Sequence, residues 1–360
     1  MSTKLTRSSN IELFRVILMI MIVTHHYVVN SGISSFFNYN SFNVNMLFAQ
    51  FIGWGGKTGI NCFLLISGYF MCKQQFRWKK LLKLYLQVKF YNLLFYFCFL
   101  GAGYNYFSVG ELFTKIFGVI NGLNGSFIGG FFALYLVSSF INILIKELNQ
   151  KQHAVLIGIL LLIYSISSTF FLNANYEYLP WYTTVYLIGA FIRIYPLPIF
   201  QDKQFSRRLV VISLILVYLS IILIDIFCVK SGKGGFYTPF YMVSDSNKIL
   251  AILCAVSLFL LFKNITIRQN RVINILGAST FGVFLIHANC DEMRKFLWVD
   301  IFKNTLFFNS QYFFIHAFLT VIIVYVVCTI IDIFRIYFLE KPLFKLIDSL
   351  ELKCKDRCVR

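Results

Sequence analysis

One stretch of the sequence restricts the fold more than any other, because it is apolar and yet carries charge. It runs from Asn10 to Ser31 and is long enough to cross a bilayer as one helix, which takes about 20 residues. It also contains Glu12, Arg15, His25 and His26. Ionisable side chains are costly inside a membrane, and those found there face the protein interior and have a function. The stretch therefore predicts a helix with a buried polar face.

The helical angles show which of these ionisable side chains lie on the same face of the helix. Glu12 and Arg15 are three residues apart and lie on the same face. At about 100° per residue, Arg15 and His26 differ by only about 20°, whereas His25 points roughly 80° away from Arg15. His26 lies roughly 16 Å along the helix axis from Arg15. One face thus carries an acid, a base and an imidazole, and we expect it to pack against other helices rather than lipid.

The composition places the whole chain in a membrane. Hydrophobic residues make up 58% of the 360 residues and charged residues only 13%, against about 25% charged residues in soluble domains. The net charge of +18 does not indicate nucleic acid, because the basic residues cluster in short breaks between apolar runs, as in cytoplasmic loops. We predict an all-α polytopic membrane helix bundle with about ten transmembrane helices and both termini in the cytoplasm. Residues 1–360 are one integral membrane domain, in which 336–360 form a basic cytoplasmic tail.

Nucleotide-loop and metal motifs are absent from the sequence. The segment GGKTG at Gly55–Gly59 looks like part of a P-loop, but Phe51 occupies the position of the first P-loop glycine, and no strand precedes it. The nine Cys residues contain no CxxC or other metal-ligand spacing. We therefore expect no bound metal and read the cysteines as buried free thiols.

Further polar side chains interrupt other apolar runs. The second predicted span, about residues 47–72, contains Lys57, Asn61 and Ser67, and the ninth, about 272–289, contains His287. The break after the second span is strongly basic and includes Lys79, Lys80 and Lys83. Structural alternatives stay open for both groups: small residues such as Ser67 allow helices to pack closely, and the lysines also satisfy the positive-inside rule or bind anionic headgroups.

These residues together resemble the membrane acyltransferase 3 family. Its opening pattern, an acidic residue, Arg three residues later and His eleven residues after the Arg, is similar to Glu12, Arg15 and His26. The segment GGKTGINCFLLISGYF at Gly55–Phe70 is similar to the family's Ser-Gly-Tyr segment. The resemblance continues through FFALYLVSSFIN, YLIGAFIR and STFGVFLIH, which begin at residues 131, 186 and 279, and so covers almost the whole chain.

The resemblance implies a multi-pass O-acyltransferase of the cell membrane that modifies cell-surface glycans. Its expected donor is an acyl-CoA, with acetyl-CoA and hence O-acetylation favoured, and its expected acceptor is a hydroxyl of an extracytoplasmic or lipid-linked polysaccharide. Besides these, the lipid bilayer is the expected partner.

The resemblance and acid–base chemistry assign roles to the polar residues. A neutral imidazole is the usual base for an acceptor hydroxyl, and His26 is the candidate. Arg15 orients His26 or holds the donor, and Glu12 fixes Arg15. The donor's nucleotide is expected at Lys79, Lys80 and Lys83, which replace the family's Arg and so bind phosphate as point charges. Further binding positions are Lys57, Asn61, Ser67 and His287, the last against the acceptor or the acetyl group.

A proton-coupled secondary transporter or flippase of a glycan intermediate is the alternative function. Such carriers also use intramembrane Glu, Arg and His residues. They are expected to show inverted repeats and helices broken by Gly or Pro. The sequence has five Pro residues and no visible duplication, which favours the enzyme.

Overall fold

The computed structural model describes residues 8–39, 43–121, 126–171, 177–232 and 240–358, and these are helical almost throughout, without a strand. In the first half the α-helices are α1 Ser9–Val29, α2 Val44–Gly53, α3 Gly55–Met71, α4 Trp78–Gly101, α5 Val109–Asn121, α6 Phe127–Glu147, α7 Gln150–Leu161 and α8 Ser167–Phe170. The second half contains α9 Tyr178–Ile194, α10 Pro198–Gln201, α11 Lys203–Ser231, α12 Ile249–Asn264, α13 Arg271–His287, α14 Asp291–Lys295, α15 Asn304–Phe307, α16 Phe313–Arg335 and α17 Lys341–Cys358. Short 3-10 turns lie at Ile33–Phe36 and Tyr241–Val243, and π-helical turns lie at Leu162–Ile166, Phe296–Ile301 and Ile336–Glu340.

The described helices confirm an all-helical membrane protein but give a smaller count of long apolar spans than predicted. Six helices are long and apolar enough to cross a bilayer: Ser9–Val29, Trp78–Gly101, Phe127–Glu147, Gln150–Phe170, Lys203–Ser231 and Phe313–Glu351. A seventh is obtained if Arg271–His287 and Asp291–Phe307, which meet at a 95° bend, form one span. The helices α3 and α9 have 17 residues and α12 has 16, which is shorter than the roughly 20 residues typical of a spanning helix. The count of ten and the sidedness of the termini stay predictions.

Two predicted boundaries differ from the structure, and the predicted tail is largely helical. The second predicted span is divided at Trp54 into α2 and α3. The helix α4 already begins at Trp78, so the basic residues expected in a loop lie on its first turns. Likewise, much of the predicted tail is the helix α17, which follows α16 through the π-helical turn at Ile336–Glu340. Lys and Arg side chains can extend from helix ends to the interface, so their presence does not stop a helix.

The charged first helix lies at the centre of the bundle, as its polar face predicts. It packs against α2, α3, α12, α13 and α16. Phe14, Leu18 and Val23 on α1 are fully buried, and Glu12 is buried with them at 6% exposure. Because the neighbouring helices surround α1, its ionisable groups are kept from lipid.

Glycine allows the closest helix contact, between α3 and α9. A Cβ at Gly68 would lie 2.3 Å from the carbonyl oxygen of Tyr186, and one at Gly189 would lie 2.5 Å from that of Leu65. These distances are too short for any side chain, so the two backbones meet directly, as small residues permit in membrane bundles. This contact fixes α3 and with it the wall of the site described next.

Candidate active site

One face of α1 borders a cavity of about 360 Å³, here called the apolar cavity. Arg15, Met19 and Ile22 line it, and at spacings of four and three residues the next position on this face is His26. The other polar lining residues are Ser67, Lys80, Lys83, Gln87 and Thr280. Aromatic rings supply most of the rest: Phe63, Phe127, Phe131, Phe281 and Phe284. The cavity thus combines three cationic side chains, Arg15 of α1 and Lys80 and Lys83 of α4, with an aromatic wall.

The aromatic wall leads to a pair of histidines. Phe284 of α13 packs against Phe127, with ring centroids 5.0 Å apart. Its ring centroid is also 6.3 Å from that of His26 and 6.1 Å from that of His287. The apolar cavity therefore ends beside both imidazoles.

His26 and His287 are hydrogen-bonded to each other, although 261 residues separate them in sequence. His26 Nδ1 lies 3.0 Å from His287 Nε2, and His287 Nδ1 lies 2.6 Å from the carbonyl oxygen of Val283. A carbonyl can only accept a hydrogen bond, so His287 carries its proton on Nδ1, and its Nε2 accepts a hydrogen bond from the N–H at His26 Nδ1. In the neutral pair, His26 therefore presents an unprotonated Nε2.

His25 points away from this pair. Its Nδ1 is hydrogen-bonded to the carbonyl oxygen of Gly53, and its ring occupies the space that a Cβ on Gly56 would need. His25 thus joins α1 to the junction of α2 and α3, while His26 faces α13. This is the division that the helical angles predict.

Glu12 lies next to α13 near the N-terminal end of α1. A Cβ on Gly277 would lie 2.3 Å from Glu12 Oε2, so this carboxylate packs directly on the α13 backbone. Arg15 is half-buried and lines the apolar cavity. The structure thereby brings four of the predicted site residues, Arg15, Ser67, Lys80 and Lys83, to one cavity.

The three predicted donor-binding lysines differ in their surroundings. Lys79 is ion-paired with Asp348 at 2.5 Å and with Glu351 at 2.8 Å, both on α17, and it does not line the apolar cavity. Lys83 Nζ lies 2.5 Å from Glu340 Oε1. Lys80 Nζ lies 2.5 Å from the side-chain oxygen of Gln74, which is uncharged. The charge of Lys80 is therefore the least neutralised of the three.

Lys57 and Asn61 lie away from the apolar cavity. Asn61 is fully buried, donates to the carbonyl oxygen of Ser246 at 2.6 Å and accepts from Trp181 Nε1 at 3.1 Å. Lys57 is ion-paired with Asp245 at 3.3 Å. These contacts favour a structural role for both, joining α3 to the start of α12 and to α9. Ser67 lines the cavity and donates to the carbonyl oxygen of Phe63 at 2.9 Å.

A second buried polar group lies outside the predicted site residues. Asp332 of α16 is fully buried and accepts from Tyr91 at 2.8 Å and from Arg335 Nε at 2.7 Å. Arg335 also donates to Glu340 at 2.8 Å. The signal was present, because Asp332 and Arg335 are three residues apart in an apolar run, with the spacing of Glu12 and Arg15.

This group borders a second cavity of about 530 Å³, here called the polar cavity. Its charged lining residues are Lys83, Arg271, Arg335, Glu340 and Lys341. The polar cavity lies between α4, the first turn of α13 and the junction of α16 with α17. It shares Lys83 and Gln87 with the apolar cavity, so the two are neighbours.

Comparison with known proteins identifies the family. The model of the acyltransferase 3 family, described as an acyltransferase domain, matches residues 8–333. No curated protein and no solved structure matches the chain. The matched range contains α1 to α15 and most of α16, and so includes both histidines and most of both cavity walls.

Proposed function

The chain belongs to the acyltransferase 3 family and is a membrane acyltransferase, and we propose that it transfers an acetyl group from acetyl-CoA to a hydroxyl of a cell-surface or lipid-linked glycan. The observation that carries this proposal is the hydrogen-bonded pair of His26 and His287 beside the apolar cavity. A base with a free lone pair and a cavity with a cationic group are what transfer from a phosphorylated thioester to a hydroxyl requires.

His26 is the general base of the proposed reaction. Its Nε2 takes the proton of the acceptor hydroxyl while the hydroxyl oxygen attacks the thioester carbonyl carbon. The tetrahedral intermediate then breaks its carbon–sulfur bond, and the leaving thiolate takes the proton from His26 Nε2. The acetyl ester, the free thiol and neutral His26 result, so no other reactant is needed.

His287 is a positioning residue in this reaction. It accepts from Nδ1 of His26 and thereby holds His26 in the tautomer that has its basic nitrogen free. The buried partner of a catalytic imidazole serves the same purpose in hydrolase triads, where the wrong tautomer is inactive. The carbonyl of Val283 fixes His287 in turn.

The apolar cavity accommodates the donor's acyl arm in this proposal. Arg15, Lys80 and Lys83 attract the phosphate to which the pantetheine arm is attached, and the aromatic wall leads the thioester towards Phe284 and the histidines. Arg15 and His26 are roughly 16 Å apart along α1, so the long pantetheine arm is needed to join the two ends. With the N-terminus in the cytoplasm, as predicted from the charge distribution, the donor binds from inside and the acceptor from outside.

Mass spectrometry of surface glycans tests the proposal. Glycans from cells with the wild-type protein should carry acetyl esters that are missing in cells without the protein and in cells with His26→Ala. Membrane levels of the variant, measured by immunoblot, provide the control for folding. Identical glycan masses in all three strains, with normal expression, would contradict a glycan acceptor.

A further inference from the structure

The polar cavity has an excess of positive charge. Four of its charged lining side chains are basic, Lys83, Arg271, Arg335 and Lys341, and only Glu340 is acidic. Its volume of about 530 Å³ lies within the range of about 300–1,000 Å³ that is typical of ligand sites. The cavity is therefore large and positive enough for a phosphorylated ligand.

Two of these cations are neutralised by the protein and two are not. Glu340, whose side chain is 9% exposed, pairs with Lys83 at 2.5 Å and with Arg335 at 2.8 Å. Within the described part of the chain, no acidic side chain is ion-paired with Arg271 or Lys341. Lys341 instead lies over the ring of Tyr337, 3.5 Å from its centroid. Both Arg271 and Lys341 are exposed at the rim, where an incoming anion meets them first.

Glu340 itself marks an anion position inside the polar cavity. Its carboxylate lies between Lys83 of α4 and Arg335 of α16, a geometry that a phosphate oxygen can also satisfy. Arg335 keeps a second partner, Asp332 at 2.7 Å, whereas no further acidic partner of Lys83 is described. A phosphate that replaces Glu340 at Lys83 would thus leave Arg335 paired.

From this arrangement we infer that the polar cavity binds the phosphorylated nucleotide end of the acyl-CoA donor, through Arg271, Lys341 and Lys83. The phosphates displace Glu340 from Lys83. The inference rests on the proposed function, because it assigns a second part of the same donor. Lys83 and Gln87, which line both cavities, are where the acyl arm passes from the polar to the apolar cavity.

Binding of coenzyme A to the purified full-length protein in detergent tests the inference without requiring catalysis. Isothermal titration calorimetry should show that the double variant Arg271→Gln with Lys341→Gln has an affinity for coenzyme A at least tenfold lower than that of the wild type. Pantetheine, which lacks the phosphates, should bind the variant and the wild type alike. Glu340→Gln should raise the affinity for coenzyme A several-fold, because Lys83 no longer has an acidic partner to exchange for phosphate. The matched control is Lys203→Gln with Arg207→Gln, which removes the same charge at another cavity and should leave coenzyme A affinity unchanged.

The outcomes separate this inference from the proposed function. Unchanged coenzyme A affinity in the Arg271 and Lys341 variant, with wild-type binding intact, would overturn the inference and leave the proposed function standing. Absence of coenzyme A binding to the wild type would overturn both. In nanodiscs, phosphatidylglycerol could displace coenzyme A in a way that depends on Arg271 and Lys341, while Glu340→Gln leaves coenzyme A affinity unchanged. That result would make the polar cavity a lipid headgroup site and overturn the inference.

Discussion

Removal of His287 should impair catalysis without removing the base itself. In His287→Ala, Nδ1 of His26 loses its acceptor at 3.0 Å. A net hydrogen bond is worth about 0.5–1.5 kcal/mol, which corresponds to roughly two- to tenfold in rate. The rate falls further because His26 no longer keeps the tautomer that has Nε2 unprotonated. The upper limit of the rate loss is the whole contribution of a general base, about 10²–10⁴-fold. We therefore expect kcat to fall about 10²-fold, with little change in KM for acetyl-CoA.

Conservative variants separate positioning from packing. In His287→Gln, the amide oxygen reaches the place of Nε2 and accepts from His26, so activity should stay within about tenfold of wild type. In His287→Asn the amide is shorter and lies near the place of Nδ1, so kcat should fall as in His287→Ala. Because His287 acts through His26, adding His287→Ala to His26→Ala should cost nothing further.

The assay is acetyl transfer by the purified protein from radiolabelled acetyl-CoA to extracted glycan acceptor. Thermal unfolding followed by intrinsic fluorescence confirms that each variant is folded. Equal loss in the Gln, Asn and Ala variants, or an Ala variant within threefold of wild type, would refute the positioning role of His287.

Three further predictions concern packing, sidedness and the donor. Gly282→Ala should lower the free energy of unfolding by about 1–3 kcal/mol, since its Cβ would lie 2.0 Å from the Asp332 carboxyl group. Gly158→Ala is the control and should not lower it, because no atom lies within 4 Å of the added Cβ. Equal melting temperatures of the two variants would contradict the buried contact. In a cysteine-free background, Ser34→Cys should be labelled only from outside and Lys80→Cys only from the cytoplasm. The opposite sidedness would reverse the proposed direction of transfer. Lys80→Gln should raise KM for acetyl-CoA more than Lys79→Gln, because Lys79 is already neutralised by Asp348 and Glu351. The reverse order would contradict the role of Lys80 in donor binding.

The central helix was predictable from the sequence because its information is local. The spacing of Arg15 and His26 on one helix places both on a single face, and α1 has that face towards the apolar cavity and α13. The distinction between His25 and His26 follows from the same angle.

Contacts between distant segments were not predictable in this way. Nothing near His26 in sequence indicates that its partner is His287, and nothing near Lys79 indicates Asp348 and Glu351, which follow 269 or more residues later. Sequence charge also suggested free lysines, whereas two of the three are paired with acids. The helix break at Trp54 depends on packing, because apolar sequence continues across it.

In the proposed reaction His26 is the general base that takes the proton of an external hydroxyl as this hydroxyl receives the acetyl group. The most direct measurement is transfer of label from acetyl-CoA, enclosed in proteoliposomes of cytoplasmic-inside orientation, to glycan acceptor outside. We expect transfer by the wild type, substantial transfer per folded molecule by His25→Ala, and none above background by folded His26→Ala. Undiminished transfer by His26→Ala would show that His26 is not the base.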